Sequence, residues 1–93
     1  MIKTIKDAET QKIYQRICSR KLPPAIQQVA LRKLRMINNA INVNDLQVPP
    51  ANRLEKLGGD RKGQYSIRIN DQWRICFEWK SGDAFNVEIT DYH

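Results

Sequence analysis

Apolar positions along this chain follow two different periods, and the switch between them divides it into a helical part and a sheet part. A short extended start, Met1 to Ile5, leads to Asp7, whose side chain suits a helix N-cap. Ile13, Tyr14 and Ile17 then fall at i, i+1 and i+4, which predicts a first helix from Asp7 to about Ser19. Pro23 and Pro24 suit a helix start, and Ile26, Val29, Ala30, Leu34, Ile37 and Ile41 follow at spacings of three and four. That spacing predicts a second, amphipathic helix with Arg32 and Arg35 off its apolar stripe. From Asn42 to Gly63, paired prolines and paired glycines predict a loop, interrupted by a short strand or turn around Leu54 to Leu57. The stretch GGDRKG lacks the spacing of a phosphate-cradling loop and reads as a turn.

From Gln64 the period becomes two. Tyr65, Ile67 and Ile69 alternate with Ser66 and Arg68; Trp73, Ile75, Phe77 and Trp79 with Arg74, Cys76 and Glu78; Phe85, Val87 and Ile89 with Asn86, Glu88 and Thr90. These are three half-buried strands. The connections NDQ and KSGDA are short enough for hairpins, so the strands form an antiparallel meander with one apolar face. Two helices must cover that face. The expected fold is α+β, with the polar face of the sheet left open unless something binds it.

Strand parity then places side chains, because a slip of one residue would turn every apolar group outward. A three-residue loop at Asn70, Asp71 and Gln72 sets Ile69 opposite Trp73 on the core side and Arg68 opposite Arg74 on the open side. Like charges so placed destabilise a sheet by up to roughly 1 kcal/mol, and a shared anion or an intervening carboxylate would relieve them. If Trp79 faces Phe85, Arg74 faces Thr90, and Tyr92 lies diagonally beside Arg74. Arg68, Arg74 and Tyr92 thus converge on one phosphate-sized object. Asp91 has the opposite parity on a regular strand, and the direction of His93 does not follow. The competing reading makes Arg74 a surface residue paired with Glu78 or Glu88.

Composition narrows the class. Of 93 residues, 41% are hydrophobic and 28% charged, which fits a single small globular domain rather than a disordered chain. No window approaches a membrane span, and the start lacks the apolar stretch of a signal peptide, so a cytoplasmic location is expected. Cys18 and Cys76 stand apart without CxxC spacing, which predicts reduced, buried thiols and no zinc site. The net charge is +6, and its distribution is uneven: nine basic against two acidic side chains up to Ile37, seven against eight beyond it. A basic helical half suggests an anionic partner such as nucleic acid, although charged helix faces also serve simply as solvated surface.

Cleaving RNA without a metal needs a base near the 2′-hydroxyl, a cation at the non-bridging oxygens and an acid for the leaving 5′-oxygen. Arginine suits the second role, and tyrosine or histidine can move protons. No carboxylate cluster of the two-metal type is visible, so neither metal nor cofactor is expected. A hydrolase using Ser66 or Cys76 with His93 as base fits less well.

The segment NRLEKLGGDRKGQYSIRINDQWRICFEW and the closing NVEITDYH resemble the HigB toxins, a branch of the RelE-like superfamily of type II toxin-antitoxin systems. The resemblance covers nearly the whole chain and is strongest from Asn52 onward. It implies one RelE/HigB-like toxin domain over residues 1–93, with two N-terminal helices on one face of a small, mainly antiparallel twisted sheet. It further implies a ribosome-dependent mRNA endonuclease acting in the A site of the small subunit. Its partner would be a HigA-like antitoxin with a helix-turn-helix, and the complex would bind operator DNA. By position, the family's phosphate-stabilising arginine falls on Arg74, its tyrosine on Tyr92, and neighbouring groups on Asp91 and His93. Some members carry a histidine and a lysine where this chain has Glu55 and Gly58, so Glu55, His93 or Tyr92 can each serve as the base. Arg53, Lys56, Arg61, Lys62 and Arg68 are expected to bind substrate RNA, and Arg16, Arg20, Lys21, Arg32 and Lys33 ribosomal RNA. The alternative is a non-catalytic partner that acts with an antitoxin as co-repressor.

Overall fold

Asp7 opens the first helix as its N-cap, accepting a 3.1 Å hydrogen bond from the Thr10 amide. The computed structural model describes residues 1–91, and in it this helix, α1, spans only Ala8–Tyr14. It stops well short of Ser19. Arg16 turns left-handed at φ 64°, its amide bonds back to the Ile13 carbonyl, and the Ile17 amide reaches Lys12. That pair of bonds is the Schellman closure, which usually employs glycine at the left-handed residue. With arginine there, the stop was hidden in the sequence, and Ile17 ends 52% exposed.

The second helix, α2 (Pro24–Asn39), begins on its prolines as expected. Ile26, Ala30, Leu34 and Ile37 form its buried stripe. Ile41 lies beyond the helix and is 86% exposed; Ala40 is buried instead. Lys33 also points inward, contrary to its expected place on the surface.

The long connection folds into 3-10 turns at Val43–Gln47 and Pro50–Asn52, followed by a two-residue strand β1 (Glu55–Lys56) where a short strand or turn was expected. GGDRKG makes a further 3-10 turn, Gly59–Arg61, and no phosphate loop. Then come β2 (Gln64–Arg68), β3 (Trp73–Lys80) and β4 (Asp83–Asp91), and the sheet order is β1-β2-β3-β4 with every pair antiparallel. Isolated parallel bridges from Ile2 to Ala84 and from Ile5 to Val87 cover the outer edge of β4.

The first hairpin has the expected register, Arg68 opposite Arg74, and Asn70 Oδ1 accepts from the amides of Gln72 and Trp73 to fix its loop. The second departs from expectation. Ser81 and Gly82, at φ 52° and 83°, make a two-residue turn, so Trp79 faces Ala84 rather than Phe85. Phe85 is therefore on the polar face opposite Glu78. A bulge follows: Asn86, at φ 52°, and Val87 together oppose Phe77, which restores the core phase for Val87 and Ile89. The bulge adds back the residue that the tight turn removed. Arg74 consequently faces Thr90, as parity predicted, by a route the pattern did not show.

Both helices lie on the apolar face, around a core of Ile13, Ile26, Leu34, Ile37, Leu46, Ile67, Ile75, Phe77 and Val87. Thr10, fully buried, continues the edge of β4 where the N-terminal segment leaves it, its Oγ1 accepting from the Ile89 amide at 2.9 Å. Thr10→Val keeps the shape and strands that amide, so a loss of about 1–3 kcal/mol in urea unfolding is expected.

Candidate active site

Arg74 stands near the N-terminal end of β3 on the face away from the helices, yet only 8% of it is exposed. Its Nε donates to Ser66 Oγ at 2.8 Å, and Nη2 donates to the Arg53 carbonyl at 2.6 Å and the Ser66 carbonyl at 3.4 Å. Nη1 lies 3.9 Å from Glu55 Oε1. Among described carboxylates this is its ion-pair partner, not Glu78 or Glu88. Two strands and a loop therefore hold the guanidinium: Ser66 on β2, Glu55 on β1, and the Arg53 backbone at the end of the Pro50–Asn52 turn.

Arg68, the cross-strand neighbour, pairs with a carboxylate, Asp71 of the hairpin loop, which offsets the like-charge contact with Arg74. The face is less open than alternation implied. Ser66 and Cys76 are fully buried on it, and Arg61 reaches across, its Nη1 3.1 Å from Gln64 Oε1 and 3.6 Å from Glu88 Oε2. Lys6 pairs with Glu88 at 3.0 Å from the other side. Burial beneath this layer pushes the Cys76 thiol up from its ordinary pKa, which makes it a poor nucleophile at neutral pH. Cys18, expected to be buried as well, is exposed, because it lies past the early end of α1.

The other anticipated residues sort by position. Glu55 faces Ser66 across the β1-β2 ladder and shares the side of Arg74, whereas Lys56 pairs with Tyr65 and takes the helix side by parity. Arg53 and Lys62 are exposed, and Arg61 is engaged as described. Asp91 pairs with Trp73, opposite in parity to Arg74, and its Oδ2 accepts from Gln72 Nε2 at 3.1 Å. Beyond the bulge, alternation holds as far as Asp91 and does not bring it to the arginine's face. Tyr92 and His93 lie outside the described residues. Arg16, Arg20, Lys21 and Arg32 are exposed. Lys33 is not: it is 5% exposed, and its Nζ donates to Asn52 Oδ1 at 2.6 Å. Burial, together with nearby Arg32 and Arg68, lowers its pKa.

Sequence reasoning missed Ser66 and the Arg53 carbonyl as holders of Arg74. Alternation placed Ser66 on the correct face and was the available signal for it; nothing in the pattern pointed to the carbonyl. Among the described residues no group of three or more His, Cys, Asp or Glu is arranged to hold a metal ion, and no helix is long and apolar enough to cross a membrane.

Comparison with known proteins puts this geometry in a family. The model of the HigB-like toxin, described as the RelE-like toxin of the type II toxin-antitoxin system HigB, matches residues 3–93. The chain belongs to the HigB-like toxins. Within that family it is 43% identical over 70 residues to Toxin HigB-1 of Vibrio cholerae serotype O1, covering 75% of this chain and 74% of that one. It is 29% identical to Endoribonuclease HigB of Proteus vulgaris across the full length of both. Among solved structures, the YoeB-YefM complex from Staphylococcus aureus superposes with a TM-score of 0.58 at 17% identity, over all of this chain and 98% of that one. That likeness shows the same α+β fold, and the description of the matching family names it RelE-like.

Proposed function

We propose that this HigB-like toxin is a metal-independent endoribonuclease that cuts mRNA in the A site of translating ribosomes and so inhibits translation. The observation that carries the reading is the anchored Arg74, held by Ser66 and the Arg53 carbonyl beside Arg68, with Glu55 3.9 Å away. The name of the Proteus vulgaris relative, Endoribonuclease HigB, supports it.

In the reaction, the 2′-oxygen of one nucleotide attacks its own 3′-phosphorus while the bond to the leaving 5′-oxygen breaks. A base takes the 2′-hydroxyl proton and an acid supplies one to the 5′-oxygen, which gives a 2′,3′-cyclic phosphate and a 5′-hydroxyl end. Arg74 stabilises the charge that grows on the non-bridging oxygens, and a guanidinium fixed before substrate arrives does so without reorganising. Glu55, Tyr92 and His93 are the candidates for base and acid. The chain offers few proton-transfer groups, and a ribosome that holds the mRNA in line would supply the positioning it lacks. Arg68 beside Arg74, and the side chains of Arg53, Arg61 and Lys62 from the preceding loop, are the RNA contacts in this reading.

The partners in this reading are the ribosome and mRNA, a HigA-like antitoxin with a helix-turn-helix, and operator DNA through the toxin-antitoxin complex, all in the cytoplasm. Primer extension on mRNA from cells induced for the toxin alone tests the proposal. New 5′ ends confined to translated codons are expected, and their absence from translated messages, or ready cutting of naked RNA by the purified protein, would overturn it.

A further inference from the structure

The loop that holds Arg74 is itself tied down by a residue that the proposed chemistry never touches. Lys33 is turned into the protein from α2, and its ammonium donates to Asn52 Oδ1 at 2.6 Å. Asn52 is fully buried, and its Nδ2 donates onward to the carbonyls of Leu46 at 3.2 Å and Val48 at 3.4 Å. One side chain thus joins the helix to the loop on both sides of the Pro49-Pro50 pair. The next residue, Arg53, adopts a left-handed backbone at φ 46°, ψ 57°, and in that conformation its carbonyl accepts from Arg74 Nη2 at 2.6 Å. Its own side chain is exposed, so what reaches the site is its main chain.

A left-handed residue other than glycine persists where its surroundings over-determine it. Here the Arg53 amide donates to the Pro50 carbonyl at 3.0 Å, its carbonyl accepts from Arg74, and the residue before it is the buried, tied asparagine. Burying an ammonium is unfavourable, and a neutral donor would satisfy Asn52 at a lower desolvation cost. What the ammonium adds is a short, charge-assisted hydrogen bond, stiffer than a neutral one. A stiff tie is useful if the position of the following carbonyl matters.

We propose that Lys33 and Asn52 are positioning residues for Arg74, fixing the Arg53 carbonyl and through it the direction in which the guanidinium meets its phosphate. The proposal rests on the endoribonuclease reading for the role of Arg74, while the geometry of the tie can be tested apart from it. Lys33 accordingly leaves the set of ribosome-binding cations.

The test uses the full chain with labelled arginine, as wild type, Lys33→Met and Asn52→Ala, at a temperature where circular dichroism shows each variant folded. The Arg74 Nε proton, identified by its loss in Arg74→Lys, is expected to exchange with solvent about ten-fold faster or more in both variants. On translating ribosomes kcat should fall about ten-fold or more, since small misplacements of a catalytic group are costly. KM for ribosomes should stay within about twofold, because surface binding is untouched. Ile26→Val, a core change remote from the loop, serves as the stability control and should lower the melting temperature without changing exchange or kcat. Should Lys33→Met fail to fold, Lys33→Gln, which retains a neutral donor, carries the same measurements. Folded variants with wild-type exchange and wild-type kcat would overturn the proposal. If the wild type cuts no mRNA on ribosomes, the endoribonuclease reading fails, and the exchange rates alone then decide whether Lys33 and Asn52 hold Arg74.

Discussion

Arg74→Ala, induced without antitoxin, is expected to leave growth unimpaired where the wild type arrests it, with single-turnover cleavage on ribosomes slowed roughly 10²–10³-fold, as for removal of one transition-state hydrogen-bond donor. The substitution also removes a structural element. Ser66 Oγ and the Arg53 carbonyl lose their donor, which costs about 1–3 kcal/mol of folding stability, so soluble, folded protein must be verified before the loss is assigned to chemistry. Arg74→Lys separates the two effects. Lysine keeps the charge but has no planar fork to bond Ser66 and Arg53 together while facing a phosphate, so cleavage should still fall, by roughly 10–10²-fold. Ribosome binding should be unchanged in both variants, because Arg74 is nearly buried and Arg68 remains beside it. Equal toxicity of wild type and Arg74→Ala would remove Arg74 from the mechanism.

The residues around Arg74 show how much a pattern can reveal. Alternation placed Ser66, Arg68, Arg74 and Thr90 on one face, and that placement is correct because period-two side chains obey parity whatever covers them. Burial of that face was not legible. It depends on Arg61 and Arg53 returning from a loop whose path contains turns and almost no periodic signal. The end of α1 was misplaced for a local reason, since a Schellman closure built on Arg16 gives no glycine to announce it. Lys33 was misread because hydrophobic periodicity treats every lysine as surface, and its partner Asn52 lies 19 residues away. At the β3-β4 hairpin two errors cancelled. A shorter turn and an extra bulge residue left Arg74 facing Thr90, so a correct conclusion rested on an incorrect pairing of Trp79 with Phe85.

The burial of Lys33 sharpens the expectation for the basic helical half. Lys6 and Lys12 are paired with Glu88 and Glu9, whereas among the described residues no ion pair engages Arg16, Arg20, Lys21 or Arg32. With Lys3 and Arg35, which are likewise exposed and outside every ion pair among the described residues, these four make up the cations of this half available to ribosomal RNA phosphates. Each phosphate contact contributes about 0.7–0.9 to the slope of log affinity against log salt, so replacing all four with glutamine should flatten that slope by about 3. Affinity for ribosomes near physiological salt should drop roughly 10²-fold, since a slope change of about 3 acts over the roughly 0.8 log unit between about 1 M salt, where counterion release contributes little, and about 0.15 M. Cleavage at saturating ribosomes should be preserved, because none of the four approaches Arg74. Lys33→Gln, in contrast, should leave the salt slope unchanged, since a buried ammonium displaces no counterions from RNA. Wild-type slope and affinity in the quadruple variant would mean that these four cations do not meet ribosomal phosphates. If the same variant instead lost its hold on the antitoxin, the basic face would belong to the partner that silences the toxin, and ribosome entry would depend on the charges that border the sheet.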